Sequence, residues 1–172
     1  WATHGRPTDA NAHPHTDCHR RVAVVHNGIV ENFLALKAGL QDTGHEFSSE
    51  TDTEVITHLI EEGMDQGLSF EQAFRRMGGV IKGSQAITAT LQGQSGILCA
   101  LRLGHAGGIV VAHRDGQGIV GSDLPALLPL FRQEPTISGV GFLDSGEMAV
   151  ITREGTSYFD LNGHRIHKQT RT

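Results

Sequence analysis

Arg21-Val-Ala-Val-Val-His-Asn-Gly28 reads as a strand that runs into a break. Val22, Ala23, Val24 and Val25 form a continuous apolar run rich in β-branched residues, which predicts a short strand covered on both faces. Asn27-Gly28 stops it, since glycine accepts a backbone geometry and a close approach that a side chain forbids. Ile29, Phe33, Leu36 and Leu40 then recur at helical spacing until Gly44. A carboxamide beside a glycine N–H at a strand end also offers two donors to an oxygen gaining negative charge. Taken alone, Asn-Gly is an ordinary turn. Its neighbours raise it above that.

Upstream, Arg6-Pro7 and Asn11-Ala-His-Pro-His15 are loop-like, because proline biases its predecessor away from helix. Downstream, Thr51-x-x-Glu54 reads as a capping box with Thr51 as N-cap and Asp52 in the first turn, followed by the stripe Val55, Ile56, Leu59, Ile60. Ser69-x-x-Gln72 opens a third helix carrying Phe70, Ala73, Phe74 and Met77. Past Lys82 the texture changes to short strands: 85–91, 97–101, 109–112, 119–121, 140–143, 148–152 and 157–160. Turns at Gly93-Gln-Ser-Gly96, Asp115-Gly116, Ser145-Gly146, Glu154-Gly155 and Asn162-Gly163 separate most of them. A brief helix over 124–128 is capped by Ser122 or Asp123 and ended by Pro129. Grouped helices and meandering strands predict antiparallel sheets with helices packed outside.

The 172 residues fit one domain with a sizeable core, and a net charge of −5 with no dense basic run argues against nucleic acid. No apolar stretch approaches membrane-spanning length. Two cysteines, Cys18 and Cys99, lie far apart in sequence, which fits a reducing, cytoplasmic setting without a disulfide framework. Eleven histidines raise the question of metal. His13, His15, Cys18 and His19 lie close together with His4 upstream, but they lack the paired spacings of a structural zinc site, and no metal or cofactor is expected.

Four motifs in order resemble the glutaminase domain of glutamine–fructose-6-phosphate aminotransferase, a class II amidotransferase with an N-terminal nucleophile. They are Trp1-Ala-Thr-His-Gly-Arg-Pro7, Asn11-Ala-His-Pro-His15, Val25-His-Asn-Gly-Ile-Val-Glu-Asn32 and Phe47-Ser-Ser-Glu-Thr-Asp-Thr-Glu-Val-Ile56. A weaker echo follows in Ser122-Asp-Leu-Pro-Ala-Leu-Leu-Pro129, Gly146-Glu-Met-Ala-Val-Ile-Thr152 and Phe159-Asp-Leu-Asn-Gly163. Gly104-His-Ala-Gly107 and Gly116-Gln-Gly118 depart from the family pattern.

The resemblance implies an α+β fold, an αββα four-layer sandwich of antiparallel sheets flanked by helices, with residues 1–172 forming a partial glutaminase domain incomplete at its N-terminus. It implies that an N-terminal cysteine attacks the amide of L-glutamine, giving a thioester and ammonia. The oxyanion hole maps onto the Asn27 side chain and the Gly28 N–H. The glutamine α-amino group maps onto Asp52 with the Gly28 carbonyl, and the α-carboxylate onto Thr3 and His4 beside Trp1. The chain starts at Trp1, so the nucleophile is expected upstream and the chain by itself is expected to be inactive. Sugar-isomerase domains are the implied partners, using the ammonia to convert fructose 6-phosphate to glucosamine 6-phosphate; homodimer formation stays open. Rival readings are the glutaminase domain of an amidophosphoribosyltransferase, a His/Cys metal-binding module and a non-catalytic interaction domain.

Overall fold

The computed structural model describes residues 5–94, 96–114, 116–131 and 137–168. Trp1, Thr3, His4 and the turn residues Ser95 and Asp115 lie outside the described residues. The described elements, in chain order, are β1 (His15–Thr16), β2 (Val22–Gly28), α1 (Phe33–Asp42), α2 (Glu54–Asp65), α3 (Phe70–Val80), β3 (Gln85–Leu91), β4 (Leu98–Leu103), β5 (Val110–Arg114), β6 (Gln117–Gly121), α4 (Leu124–Phe131), β7 (Ile137–Phe142), β8 (Glu147–Ile151), β9 (Thr156–Asp160) and β10 (Arg165–Ile166). They form a seven-stranded sheet ordered β1-β2-β3-β4-β8-β9-β10 and a three-stranded sheet ordered β6-β5-β7. All pairings among the described strands are antiparallel.

The layers follow from strand alternation, which sends neighbouring side chains to opposite faces. Val24, Ala89 and Cys99 are cross-strand partners, as are His26, Ile87, Leu101 and Met148. On this face Val22, Val24, Ile87, Cys99, Leu101 and Met148 pack against Val55, Ile56, Ile60, Phe70, Phe74 and Met77 of the helices. The opposite face offers Ala86, Ala100, Ala149, Ile151 and Tyr158 to Ile109, Val111 and Leu143. Beyond it, Val110 and Ala112 of the smaller sheet meet Leu127 of α4. Helices, sheet, sheet, helix: the αββα sandwich is present.

Local signals were met unevenly. Ser69 caps α3 as the box predicts, its hydroxyl accepting from the Gln72 N–H while the Gln72 side chain accepts from the Ser69 N–H. The Thr51 box does not form. α2 starts at Glu54 behind Thr53, which makes no side-chain cap. Glu54 instead turns back to accept from the N–H and hydroxyl groups of both Ser48 and Ser49, at 2.6–2.9 Å. Four donors outcompete the single N–H that a capping box would supply.

Four further expectations are corrected. β2 continues through His26 and Asn27 to Gly28, because Ala86 and Gln85 of β3 extend the ladder to its end. Val25 is 45% exposed, so the strand is not covered on both faces; three strands are too few to blanket seven, and a gap between the sheets opens beside it. α4 runs past Pro129 to Phe131, the proline falling in its last turn with only two helical residues after it, and α1 begins at Phe33, leaving Ile29 exposed. No helix among the described residues is long and apolar enough to cross a membrane.

Candidate active site

The motif at residues 11–15 is stapled to the one at residues 50–53 by every second side chain. Asn11 Oδ1 accepts from the Glu50 N–H at 2.9 Å, His15 Nε2 meets the Thr51 hydroxyl at 3.1 Å, and His13 Nε2 meets the Thr53 hydroxyl at 3.3 Å. The third motif joins through His26, whose Nδ1 lies 2.9 Å from the same Thr53 oxygen. On its other side His26 Nε2 is 2.6 Å from Gln85 Oε1. Gln85 Nε2 donates to the carbonyls of Ile29 and Lys82, which fixes the amide orientation and makes its oxygen the acceptor. His26 therefore carries its proton on Nε2, and the Thr53 hydroxyl donates to Nδ1. That leaves the Thr53 oxygen to accept from His13 Nε2–H. Burial lowers the pKa of His26, against the opposing pull of Gln85 and Asp52, so the ring is neutral at physiological pH. Burial likewise lowers those of His13 and His15.

Gly28 ends β2 in a backbone conformation that glycine favours, φ +141°. A Cβ there would lie 2.2 Å from the Ser84 carbonyl oxygen and 2.6 Å from Gln85 Oε1. Only a residue without a side chain fits.

Asn27 alternates away from the helices onto the face of the sheet that meets the smaller sheet. It lines a cavity of about 360 Å³ between the two sheets, together with His13, Val25, Thr88, Ile109 and Ser122. Among the described residues its carboxamide has no hydrogen-bond partner. Asp52 is buried and takes the Val30 N–H on Oδ2 at 2.7 Å, which ties the helix-opening segment to the turn that follows Gly28. Neither Asp52 nor Gly28 lines the cavity; His13, whose ring holds Thr53 beside Asp52, does. The structure thus places Asn27 on the cavity wall and leaves Gly28 and Asp52 off it, Asp52 bonded instead to the Val30 N–H.

His13, Thr53, Glu54 and Gln85 were not singled out by sequence as site residues. His13 and Thr53 stand inside quoted motifs, but Gln85 carries no local signal at all. The histidine–cysteine cluster suggested by proximity is not assembled. His13 and His15 face Thr53 and Thr51, whereas Cys18 points to His45 and His58. Neither cysteine is set up as a nucleophile. Cys99 is fully buried on the helix side, and burial raises its pKa far above the ordinary thiol range. The Cys18 thiol is also raised, by local desolvation and then by Glu61.

Solved structures with this architecture are amidotransferases. A glutamine phosphoribosylpyrophosphate amidotransferase from B. subtilis superposes with a TM-score of 0.68 at 21% identity, over 84% of this chain and 30% of its own. A glutamine aminotransferase class-II domain protein from Silicibacter pomeroyi does so with a TM-score of 0.53 at 20% identity, over 88% of this chain and 70% of its own. At such identities they define the fold class.

The family follows from sequence. The profile described as "Glutamine amidotransferase domain" matches residues 4–129, and the chain belongs to that family. Among curated relatives, the glutamine–fructose-6-phosphate aminotransferase [isomerizing] of Sulfurisphaera tokodaii is 40% identical over 171 residues, 99% of this chain and 28% of the relative. That of Thermus thermophilus is 41% identical over 169 residues, 98% of this chain and 26% of the relative. The chain spans about a quarter of the length of the curated relatives it matches.

Proposed function

We propose that this chain is the glutamine-binding part of a glutaminase that releases ammonia for transfer to fructose 6-phosphate. Asn27 and the Gly28 N–H form the oxyanion hole, and Asp52, with the Gly28 carbonyl, receives the α-ammonium group of L-glutamine. Trp1, Thr3 and His4, which lie outside the described residues, take the α-carboxylate end. The observation that carries this reading is the Asn27 carboxamide: it stands on the wall of the inter-sheet cavity with no partner among the described residues, while its backbone is locked by the His26–Gln85–Thr53 array. A donor held rigidly and left unpaired is what a developing oxyanion requires.

The nucleophile is a cysteine outside this chain. Cys18 and Cys99 lack both exposure to the cavity and a lowered pKa, and neither has a free α-amine to act as its base. The partner is a sugar-isomerase unit, in keeping with the relatives' names. The test is ammonia release from glutamine by this chain preceded by a segment that begins with cysteine. Activity is expected, with Asn27→Ala losing about a hundred- to a thousand-fold in kcat at nearly unchanged KM. Turnover indifferent to Asn27→Ala overturns the assignment.

A further inference from the structure

On the far side of α2 from the inter-sheet cavity, four side chains of metal-ligand type converge. Cys18 comes from the β1–β2 loop, His45 from the α1–α2 loop, and His58 and Glu61 from successive turns of α2. One ligand atom from each lies within 4.8 Å of all the others. Cys18 Sγ is 3.6 Å from His58 Nδ1 and 3.9 Å from His45 Nδ1. Glu61 Oε2 is 2.8 Å from His45 Nδ1 and 3.0 Å from His58 Nδ1. A tetrahedral centre with bonds of ~2.0–2.3 Å has edges of roughly 3.3–3.8 Å, so the Glu61–histidine pairs need to open by about half an ångström or less, while a pair near the 4.8 Å limit closes by about an ångström.

We propose that Cys18, His45, His58 and Glu61 bind a single zinc ion as a tetrahedral structural site.

The donor set is one thiolate, two imidazoles and one carboxylate, the S, N and O ligands zinc accepts. Thiolate and carboxylate together neutralise the dication, which suits a site in which His58 and Glu61 are each 1% exposed. Coordination releases the Cys18 thiol proton to solvent and forms the Zn–S bond, with no change of oxidation state. Both imidazoles ligate through Nδ1, which leaves the proton on Nε2. His58 Nε2 is buried, has no hydrogen-bond partner among the described residues, and lies 3.8 Å from Glu54 Oε1. That is where the carboxylate behind a ligating histidine stands, orienting the ring and raising its basicity. Glu54 Oε1 already accepts from the Ser48 N–H and hydroxyl, which holds the carboxylate in place behind the ring. Phe47 packs edge-on against the His58 ring at 4.5 Å and walls the site from one side. The ion would tie two loops to the helix whose first turn follows Asp52, closing the segment between Cys18 and His45. Four protein ligands leave no open position, so the site holds structure and does no chemistry.

The test uses the full chain without a polyhistidine tag, stripped with chelator and titrated with cobalt(II) and zinc. One equivalent of zinc per chain is expected, with a thiolate-to-cobalt charge-transfer band and the intense visible bands of tetrahedral cobalt. Cys18→Ser, at an exposed position that the fold tolerates, is expected to abolish the charge-transfer band and weaken zinc by ~100-fold or more, while His13→Gln leaves both unchanged. No stoichiometric binding, a band that survives Cys18→Ser, or zinc binding lost in His13→Gln but kept in Cys18→Ser each overturns the site.

Discussion

On the proposed reading Asn27 and Asp52 have different duties at the residue scale, and kinetics separates them. Asp52 would meet a charge present in the ground state, so its loss should appear in KM. A hydrogen bond to a charged group contributes about 1.5–3 kcal/mol. In the cysteine-extended protein, Asp52→Asn is therefore expected to raise KM for glutamine roughly ten- to a hundred-fold while leaving most of kcat, as steady-state ammonia release would measure. A pure kcat effect would reassign Asp52 to holding the Val30 turn. His26 permits a direct check of the buried array. Nitrogen NMR is expected to find it as the neutral Nε2–H tautomer at pH 7 and to follow its charging at a lower pH than that of a free histidine. Because its folded pKa is lowered, the unfolded chain binds the extra proton first as pH falls below 6.5. His26 thus costs stability progressively from there down towards its folded value.

At the scale of elements, the same sequence pattern gave two outcomes. Ser69-x-x-Gln72 and Thr51-x-x-Glu54 look alike on paper, yet only the first closes as a capping box. Gln72 has no better partner nearby, whereas Glu54 finds the four donors of Ser48 and Ser49 in the preceding loop. Ser69→Ala is expected to cost about 1 kcal/mol in chemical denaturation, the usual worth of an N-cap. Glu54→Gln should cost more than the cap, since its carboxylate serves several N–H and O–H groups that would lose their ionic acceptor. The strands were legible because turns with glycine punctuate them. The reach of β2 through Asn27 was not, because only pairing with Gln85 and Ala86, nearly sixty residues later, extends it.

Across the whole molecule, the two helix–sheet seams differ in size. The larger buries Phe74, Ile56, Ile60, Met77 and Leu101, while α4 rests on Leu127 with Val110 and Ala112. Phe74→Ala is expected to lose about 3–5 kcal/mol, enough to endanger folding of the whole domain. Leu127→Ala should instead loosen α4 locally. Hydrogen exchange should then quicken over residues 124–131 while β3, at the middle of the large sheet, keeps its protection. Loss of protection in both at once would make the sandwich one cooperative unit.

The sequence by itself determined the class of fold, the order of its helices and strands, and the motifs on which Asn27, Gly28 and Asp52 stand. The order of elements rests on local spacing, capping and turn chemistry, which act within a few residues, while the four-layer class and the site motifs rest on the resemblance those motifs carry. Only the tertiary structure decided what those motifs touch. It set His13 and His15 against Thr53 and Thr51, and paired His26 with Gln85. It also parted Cys18 from its sequence neighbours and gathered it with His45, His58 and Glu61. Strand alternation and helix packing choose such partners across tens of residues, and no local pattern carries that distance.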